Sequence, residues 1–382
     1  QNVSLVGAAG GKSKLMYAPR QFYGGFDPNK KPQSGNTVPV KATPGNLFYF
    51  SNCSDITVRQ LDLDGNSGQL ELGGYTSTHS GKLMAYQLPH SGIAIWNRCQ
   101  RVLIENVSAH HFALDGIGLN PDKAKPQQIT IRNSSFEYNG RQGLSWSGGD
   151  GLLVENCSFS HTGRGKIQDP PMSGVDIEPN GGQGKECTKG IFRRCRMVNN
   201  VGYALQNPYS KDMLSENVQF DSCLFHDNDA SLIGGELTAC LMVRGKSFTF
   251  RDCNIWGGFF YGHDAANAED ATRFIRCDFA DESLNGQFTP LPFLVYSEQH
   301  TNFMQFEKCK FRVIHSNKRF AQLINFNLNR PDTYARLRDC TFIYEASHTS
   351  GWNQASVFKA CAFEGQTQFI NKAPASASSG SV

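Results

Sequence analysis

The amino-acid sequence predicts an all-β chain wound as a right-handed parallel β-helix, a solenoid of about eleven or more coils. Three observations predict it. A short strand-like unit recurs along almost the whole chain at intervals of roughly 20 to 46 residues, the mark of stacked repeats. Within each unit apolar and polar residues alternate with a period of two, and no helical spacing is sustained. Glycine is abundant, 38 residues of 382, so turns are frequent and long helices few.

The units follow in order. The opening "QNVSLVGAAGG" reads as strand and turn, and "ITVRQLDLDG" is the first full copy. Then come "VLIENVSAHH", "ITIRNSSFEY", "LLVENCSFSH", "GIFRRCRMVN", "NVQFDSCLFH", "FTFRDCNIWG", "RFIRCDFADE", "MQFEKCKFRV", "ARLRDCTFIY" and "SVFKACAFEG". Cys223 and Phe225, like Cys309 and Phe311, stand two apart and so share one strand face. The leucine consensus of leucine-rich repeats is missing, which excludes that solenoid. A small-residue slot falls at Leu61, Val107 and Ser134, then at Cys157, Cys195, Cys223, Cys253, Cys277, Cys309, Cys340 and Cys361. Asn106, Asn133 and Asn156 precede that slot, where asparagine suits a left-handed bend and stacked copies would form a ladder. Most of the 12 cysteines would then point into the coil as free thiols stacked about 4.8 Å apart. No CxxC spacing suggests zinc, and so many free thiols predict assembly in a reducing cytosol.

The predicted organisation is one β-helix over residues 1–365 and a small polar tail or linker over 366–382. The chain begins at Gln1 without a Met or a signal-peptide pattern, so its N-terminus is expected to be trimmed from something longer. A net charge of +3 without a basic run implies no nucleic-acid partner, and no apolar run is long enough for membrane insertion.

A second repeated strand precedes each cysteine strand: "GIAIW" (92–96), "GIGLN" (116–120), "GLSWS" (143–147), "GVDIE" (174–178) and "GYALQ" (202–206). In this register Ile93, Ile117, Leu144, Val175 and Tyr203 face inward, as do Ile95, Leu119, Trp146, Ile177 and Leu205. The positions between them face solvent, so Asp176 and Glu178 share one outer face among Ala94, Gly118, Ser145 and Ala204. Their Cα atoms lie about 6.7 Å apart. Glycosidic hydrolysis takes two carboxyl groups, about 5–5.5 Å apart for retention and about 6.5–9.5 Å for inversion. Spacing at i and i+2 favours the longer class, and mutual repulsion raises one pKa as a general acid requires. Asp115 and Glu236 are candidates for a third carboxylate, and Arg141 for orienting substrate or holding a uronate. Trp96, Asn120 and Gln206 would line subsites, with Asn180, His161, Tyr209 and Lys211 near the walls formed by loops 64–90, 161–172 and 207–212. The alternative for Asp176 and Glu178 is a merely solubilising outer face, and for Trp96 packing under loop 64–90.

Other motifs carry less. "LDLDGNSG" (61–68) reads as a strand ending in an Asp-Gly turn rather than a calcium loop. "GAAGGKS" is one residue short of a phosphate loop, and His110–His111 reads as a turn pair. The Asn-x-Ser sequons at Asn52, Asn106, Asn133 and Asn156 are by-products of the asparagine slot. No cofactor and no metal site is expected.

With the repeat and "GVDIEPN" in view, the chain resembles the pectin-lyase-like right-handed β-helix superfamily over nearly all of residues 1–365. Within it the cysteine-rich coils look most like bacteriophage tailspike polysaccharide depolymerases. The resemblance implies a homotrimer on a virion tail, with an upstream anchor domain missing here, assembled in the host cytoplasm and acting outside the cell; a secreted bacterial enzyme is the alternative. It also implies a bacterial capsule or O-antigen as partner and outer-face acidic catalytic residues, a pattern that Asp176 and Glu178 match. The clustered calcium ligands of pectate lyases and the Asp-Pro-His-Asp stretch of alginate epimerases are absent. A lyase using His161, Tyr209, Lys211 or Arg141 is the second reading. A non-catalytic carbohydrate-binding fibre is the third.

Overall fold

The computed structural model describes residues 2–8, 13–25, 40–42, 45–72, 76–79, 82–85, 89–179, 186–208, 214–226, 240–257, 259–261, 269–280, 295–297, 303–313, 324–326, 334–344, 358–359 and 361–371. These residues form a right-handed parallel β-helix. One wall is an 11-stranded parallel sheet whose strands stack in chain order. It comprises Phe48–Ser51, Ile93–Trp96, Asp115–Asn120, Gln142–Trp146, Ser173–Ile177, Leu205–Asn207, Leu241–Val243, Phe259–Tyr261, Val295–Ser297, Ile324–Phe326 and Phe358–Lys359. The cysteine-slot strands form the remaining wall, again in parallel register coil on coil. Strand Gln368–Asn371 still pairs with Thr341–Tyr344, so the ladder runs past position 365, where the sequence reading ended it.

Each coil is closed by a left-handed residue just before the small slot. The bend asparagines have φ of 53° (Asn106), 51° (Asn133) and 53° (Asn156), and later coils place Arg194, Ser222, Asp252, Arg276, Lys308 and Asp339 in the same conformation. Such residues are disfavoured there by about 1–2 kcal/mol, and cross-coil contacts offset the cost. Asn156 Nδ2 donates to Asn133 Oδ1 at 3.0 Å, and Arg276 Nε to Asp252 Oδ1 at 2.6 Å.

The bend also explains the cysteines. The carbonyl two residues before the slot accepts the bend N–H of the coil before, as Arg251 does from Ser222 at 2.9 Å, and its second lone pair receives the slot side chain. Ser134 Oγ does so to the Arg132 carbonyl at 2.8 Å, and Cys253 Sγ to Arg251 at 3.3 Å. Cys253 also reaches the Phe220 carbonyl in the coil before, at 3.3 Å. All 12 cysteines are free; ten are buried, and Cys53 and Cys361 are half-buried. Burial pushes the Cys253 and Cys277 thiols well above their ordinary pKa, so they stay protonated and inert. Phenylalanines stack beside them, Phe220 on Phe250 at 4.8 Å and Phe311 on Phe342 at 4.8 Å, the rise of one coil.

Gly92, Gly116, Gly143 and Gly174, each at the start of a wall strand, face inward at a crowded corner. A Cβ on Gly116 would lie 2.6 Å from Asn139 Nδ2, and one on Gly174 2.6 Å from Asn200 Nδ2. Those two buried asparagines tie the corners: Asn139 donates to the Ala109 carbonyl at 3.2 Å, and Asn200 to the Phe159 carbonyl at 3.2 Å.

The expected register fails at one coil. Val175 pairs with Leu205 and Asp176 with Gln206, two residues later than the "GYALQ" alignment proposed. Gly202 is a corner residue, where a Cβ would meet the Pro171 carbonyl oxygen at 1.9 Å. Ala204 takes the place that Gly174 holds one coil earlier, since the Gly174 N–H bonds to the Tyr203 carbonyl and the Val175 N–H to Ala204. The next wall strand is Leu241–Val243, not the "SLIGGEL" copy carrying Glu236.

Candidate functional site

The outer face of the wall changes character in its fourth and fifth strands. One outward row reads Ala94, Gly118, Ser145, Asp176, Gln206 in register, so a carboxylate stands where its neighbours toward the N-terminus have almost no side chain. Gly118 leaves a gap into which Asn120 folds: a Cβ at Gly118 would lie 2.9 Å from Asn120 Nδ2 and 3.8 Å from Asp115 Oδ2. That places Asp115 on the outer side despite its position at the strand start.

Asp115, Arg141, Gln142 and Asp176 form one network. Arg141 Nη1 donates to Asp115 Oδ2 and to Gln142 Oε1, both at 3.4 Å, and Gln142 Nε2 donates to Asp176 Oδ2. Gln142 sits between Asp115 and Ser173 in register, which makes it the link between coils. Gln206 accepts from Ser173 Oγ at 3.0 Å beside Asp176.

The expectation that Asp176 faces solvent is corrected here. It is 1% exposed, and Asp115 4%. Loop 161–172 borders the same cluster: Ile167, Gln168 and Asp169 are buried, the Asp169 N–H bonds to the Gly140 carbonyl at 3.1 Å, and Asp169 lies within electrostatic reach of Arg141 and Asp115. Of Asp176 and Glu178, only Glu178 keeps part of its side chain open.

Electrostatics follow from that burial. Burial raises the Asp176 pKa well above the usual carboxylate range, and the neighbouring Glu178 charge raises it further. Burial lifts Asp115 to about 6 against the pull of Arg141, and lifts Asp169 to about 8, with Arg141 opposing and Asp115 reinforcing. Burial works against the charge on Arg141, but Asp115, Asp176, Asp169 and Glu178 outweigh it and hold the guanidinium charged. One cation thus serves four carboxyl groups, so the site retains protons at neutral pH. Asp115 Oδ1, Asp169 Oδ2, Asp176 Oδ1 and Arg141 Nε are buried without a hydrogen-bond partner among the described residues. Buried polar atoms left so are unmet demand for a water or a ligand hydroxyl.

The structure therefore brings together Asp115, Arg141, Asp176, Glu178 and Gln206. Trp96 lies in the outer row with Asn120 beside it, half-buried and packed on Tyr49 with ring centroids 5.8 Å apart. His161 is not in the cluster: its ring stacks on Tyr138 at 4.6 Å, on the corner column that precedes loop 161–172. Asn180, Tyr209, Lys211 and Glu236 lie outside the described residues. Sequence reasoning missed Asp169 and Gln142. Asp169 is the single acidic residue of loop 161–172, a signal that was present; Gln142 had none.

Comparisons with known proteins bear on the fold. A family model described as "Right handed beta helix region" matches residues 46–279. The protein YclG of Bacillus subtilis (strain 168), described as uncharacterized, is 26% identical over 199 residues, covering 49% of this chain and 32% of YclG. Among solved structures, the tailspike gp49 of Acinetobacter baumannii bacteriophage Fri1, a capsular polysaccharide depolymerase, is similar with TM-score 0.48 and 14% identity. That match covers 90% of this chain and 50% of the phage protein. The A-module of Azotobacter vinelandii mannuronan C-5 epimerase AlgE4 is similar with TM-score 0.42 and 11% identity, covering 96% of this chain and 79% of that one. The match thus spans about a third of YclG and about half of the Fri1 tailspike.

Proposed function

The chain belongs to the right-handed β-helix family, and from that premise we propose that it hydrolyses glycosidic bonds within a bacterial surface polysaccharide, using Asp176 and Glu178. One observation carries the reading: four carboxyl groups, three from the wall coils and Asp169 from the adjoining loop, are gathered around one guanidinium at a face that the fold otherwise leaves to small or solvated residues. A solubilising face needs exposed charges, and burying Asp115, Asp169 and Asp176 serves no such purpose. Perturbed carboxyl groups gathered around one partner mark functional sites.

The roles follow from exposure and proton affinity. Asp176 holds its proton at neutral pH and is the donor to the glycosidic oxygen; Glu178, at the open edge, activates the attacking water. Asp176 is closed off in the free protein, so substrate binding must uncover it. Arg141 keeps the assembly from accumulating negative charge and positions Asp115 and Gln142. Because Arg141 is already shared among carboxyl groups, a uronate would meet like charge there, which favours a neutral segment of the polysaccharide over β-elimination. The trimer and virion-tail setting rest on the resemblance of the sequence rather than on this geometry.

The test is cleavage of a panel of capsular and O-antigen polysaccharides by wild type, Asp176→Asn and Glu178→Gln, reading reducing ends and near-ultraviolet absorbance together. New reducing ends without absorbance, reduced at least ~100-fold in either variant, are the expected result. Absorbance from an unsaturated uronate would make the protein a lyase. Binding without cleavage would make it a carbohydrate-binding fibre, and cleavage that survives both substitutions would move the site elsewhere.

A further inference from the structure

A second cluster of functional groups lies on the first coils, in residues that the proposed hydrolysis does not use. Strand Ser54–Asp64 presents Asp62 and Asp64 outward, with Lys14 opposite Asp62 in the strand before and His110 opposite Asp64 in the strand after. In a regular strand His110 and His111 would point to opposite faces. His111 instead has φ of 55°, and this left-handed turn swings both imidazoles to the outer side, edge to face with centroids 4.9 Å apart.

We propose that Asp64, His110 and His111 form a binding site for a divalent cation of the zinc class, a staple across the first two coils. The candidate ligand atoms, one from each residue, all lie within 4.8 Å of one another. His110 Nδ1 is 2.6 Å from His111 Nδ1 and 3.8 Å from Asp64 Oδ1. Two imidazoles and one carboxylate suit borderline divalent ions, whose bonds to nitrogen and oxygen are about 2.0–2.2 Å. Binding would part the two rings to about 3 Å, a small side-chain movement at that bond length.

What separates this cluster from a chance meeting of polar side chains is that each ligand is held by another group. His110 Nε2 is 3.0 Å from Asp62 Oδ1, so in the neutral ring that nitrogen carries the proton and Nδ1 offers its lone pair. A carboxylate behind a ligating imidazole is the usual outer partner of a metal-bound histidine. The His111 ring lies parallel to Tyr138, with centroids 5.3 Å apart and planes within 4°, which fixes its orientation. Asp64 is anchored twice: Oδ2 receives Lys14 Nζ at 2.9 Å, and Oδ1 the Asn66 N–H at 2.8 Å, leaving Oδ1 a second lone pair toward the rings. Lys14 partly neutralises the carboxylate and so works against the cation. Three coordination positions would remain for water in an octahedral ion, or one in a tetrahedral ion. The staple would join the strands that carry Asp64 and His110 and so raise the stability of the first coils.

The experiment uses the full chain after chelator treatment. Zn²⁺ is titrated by calorimetry, Co²⁺ is followed by its visible absorption, and the melting temperature is recorded with and without Zn²⁺. The expected result is one saturable equivalent per chain and a higher melting temperature with Zn²⁺. His111→Asn, a residue that tolerates the left-handed turn, should weaken binding at least ~10-fold. Asp62→Ala should weaken it ~10–100-fold by loosening His110. Lys14→Met should tighten it, which no site elsewhere on the chain would show. Binding that His111→Asn leaves unchanged, or no saturable binding, would overturn the proposal. So would a thiolate charge-transfer band with Co²⁺, which would place the ion on a cysteine.

Discussion

Asp169 offers the most direct way to weigh the buried carboxyl cluster, because its replacement tests the electrostatics without reference to any substrate. The folded protein holds its proton up to about pH 8, whereas the ordinary value is 3.8. Between those values folding takes up a proton, so stability falls as pH rises through the window and the loss is complete above the folded pKa. About four pH units at about 1.4 kcal/mol each set a ceiling of roughly 5–6 kcal/mol. Asp169→Asn keeps the shape of the protonated acid and removes the titration. The variant should match wild type within about 1 kcal/mol near pH 4.5, then exceed it by about 2–5 kcal/mol at pH 8.5. At roughly 2 °C per kcal/mol for a chain of this size, that is about 4–10 °C in melting temperature. The assay is calorimetric or fluorescence melting of both proteins from pH 4.5 to 9. Parallel curves across that range would refute the argument, because they would mean that Asp169 titrates alike in the folded and unfolded chain.

The corners and the cysteine slot make sharper structural tests. Gly174→Ala forces a Cβ to 2.6 Å from Asn200 Nδ2 and 2.7 Å from the Phe159 carbonyl oxygen; it should cost about 2–3 kcal/mol by overpacking, read as a lower denaturation midpoint. Gly118→Ala meets the far end of the Asn120 side chain at 2.9 Å and Asp115 Oδ2 at an ordinary 3.8 Å; it should change stability by less than about 0.5 kcal/mol. Cys277→Ser should be no worse than Cys277→Ala, because a hydroxyl there can donate to the Ile275 carbonyl as Ser134 does to Arg132. In a purely apolar slot the order would be reversed by about 1–2 kcal/mol.

The coil architecture was legible because it is written many times over. A strand that recurs with a cysteine two before an aromatic states its inward face at every copy, as Cys223–Phe225 and Cys309–Phe311 do. The bend asparagines were legible for the same reason. What a repeat cannot announce is where it is interrupted. At 202–206 the glycine is required by the approach of the Pro171 carbonyl, not by the strand, and the alignment slipped by two residues. The candidate site suffered a related error. Alternation correctly put Asp176 on the outer side of the sheet but said nothing about what lies above it, and in the fold that outward position is buried.

That burial changes what the cluster is. Asp176 and Glu178, read along the strand, are a pair with equal claims on solvent and an ambiguous division of labour. In the fold, with Gln142 bonded to Asp176 and Arg141 bonded to Asp115, they become unequal: one buried and proton-holding, one at the edge. The inequality comes from burial and from Gln142, Arg141 and Asp115, one or two coils away, none of which the spacing of two carboxylates encodes. It follows that removing the Glu178 charge should leave Asp176 holding its proton, because burial is the larger cause. In Glu178→Gln the Asp176 carboxyl carbon should therefore keep its upfield, protonated shift at neutral pH. A downfield, deprotonated shift in that variant would show that the Glu178 charge, and not burial, sets the difference between them.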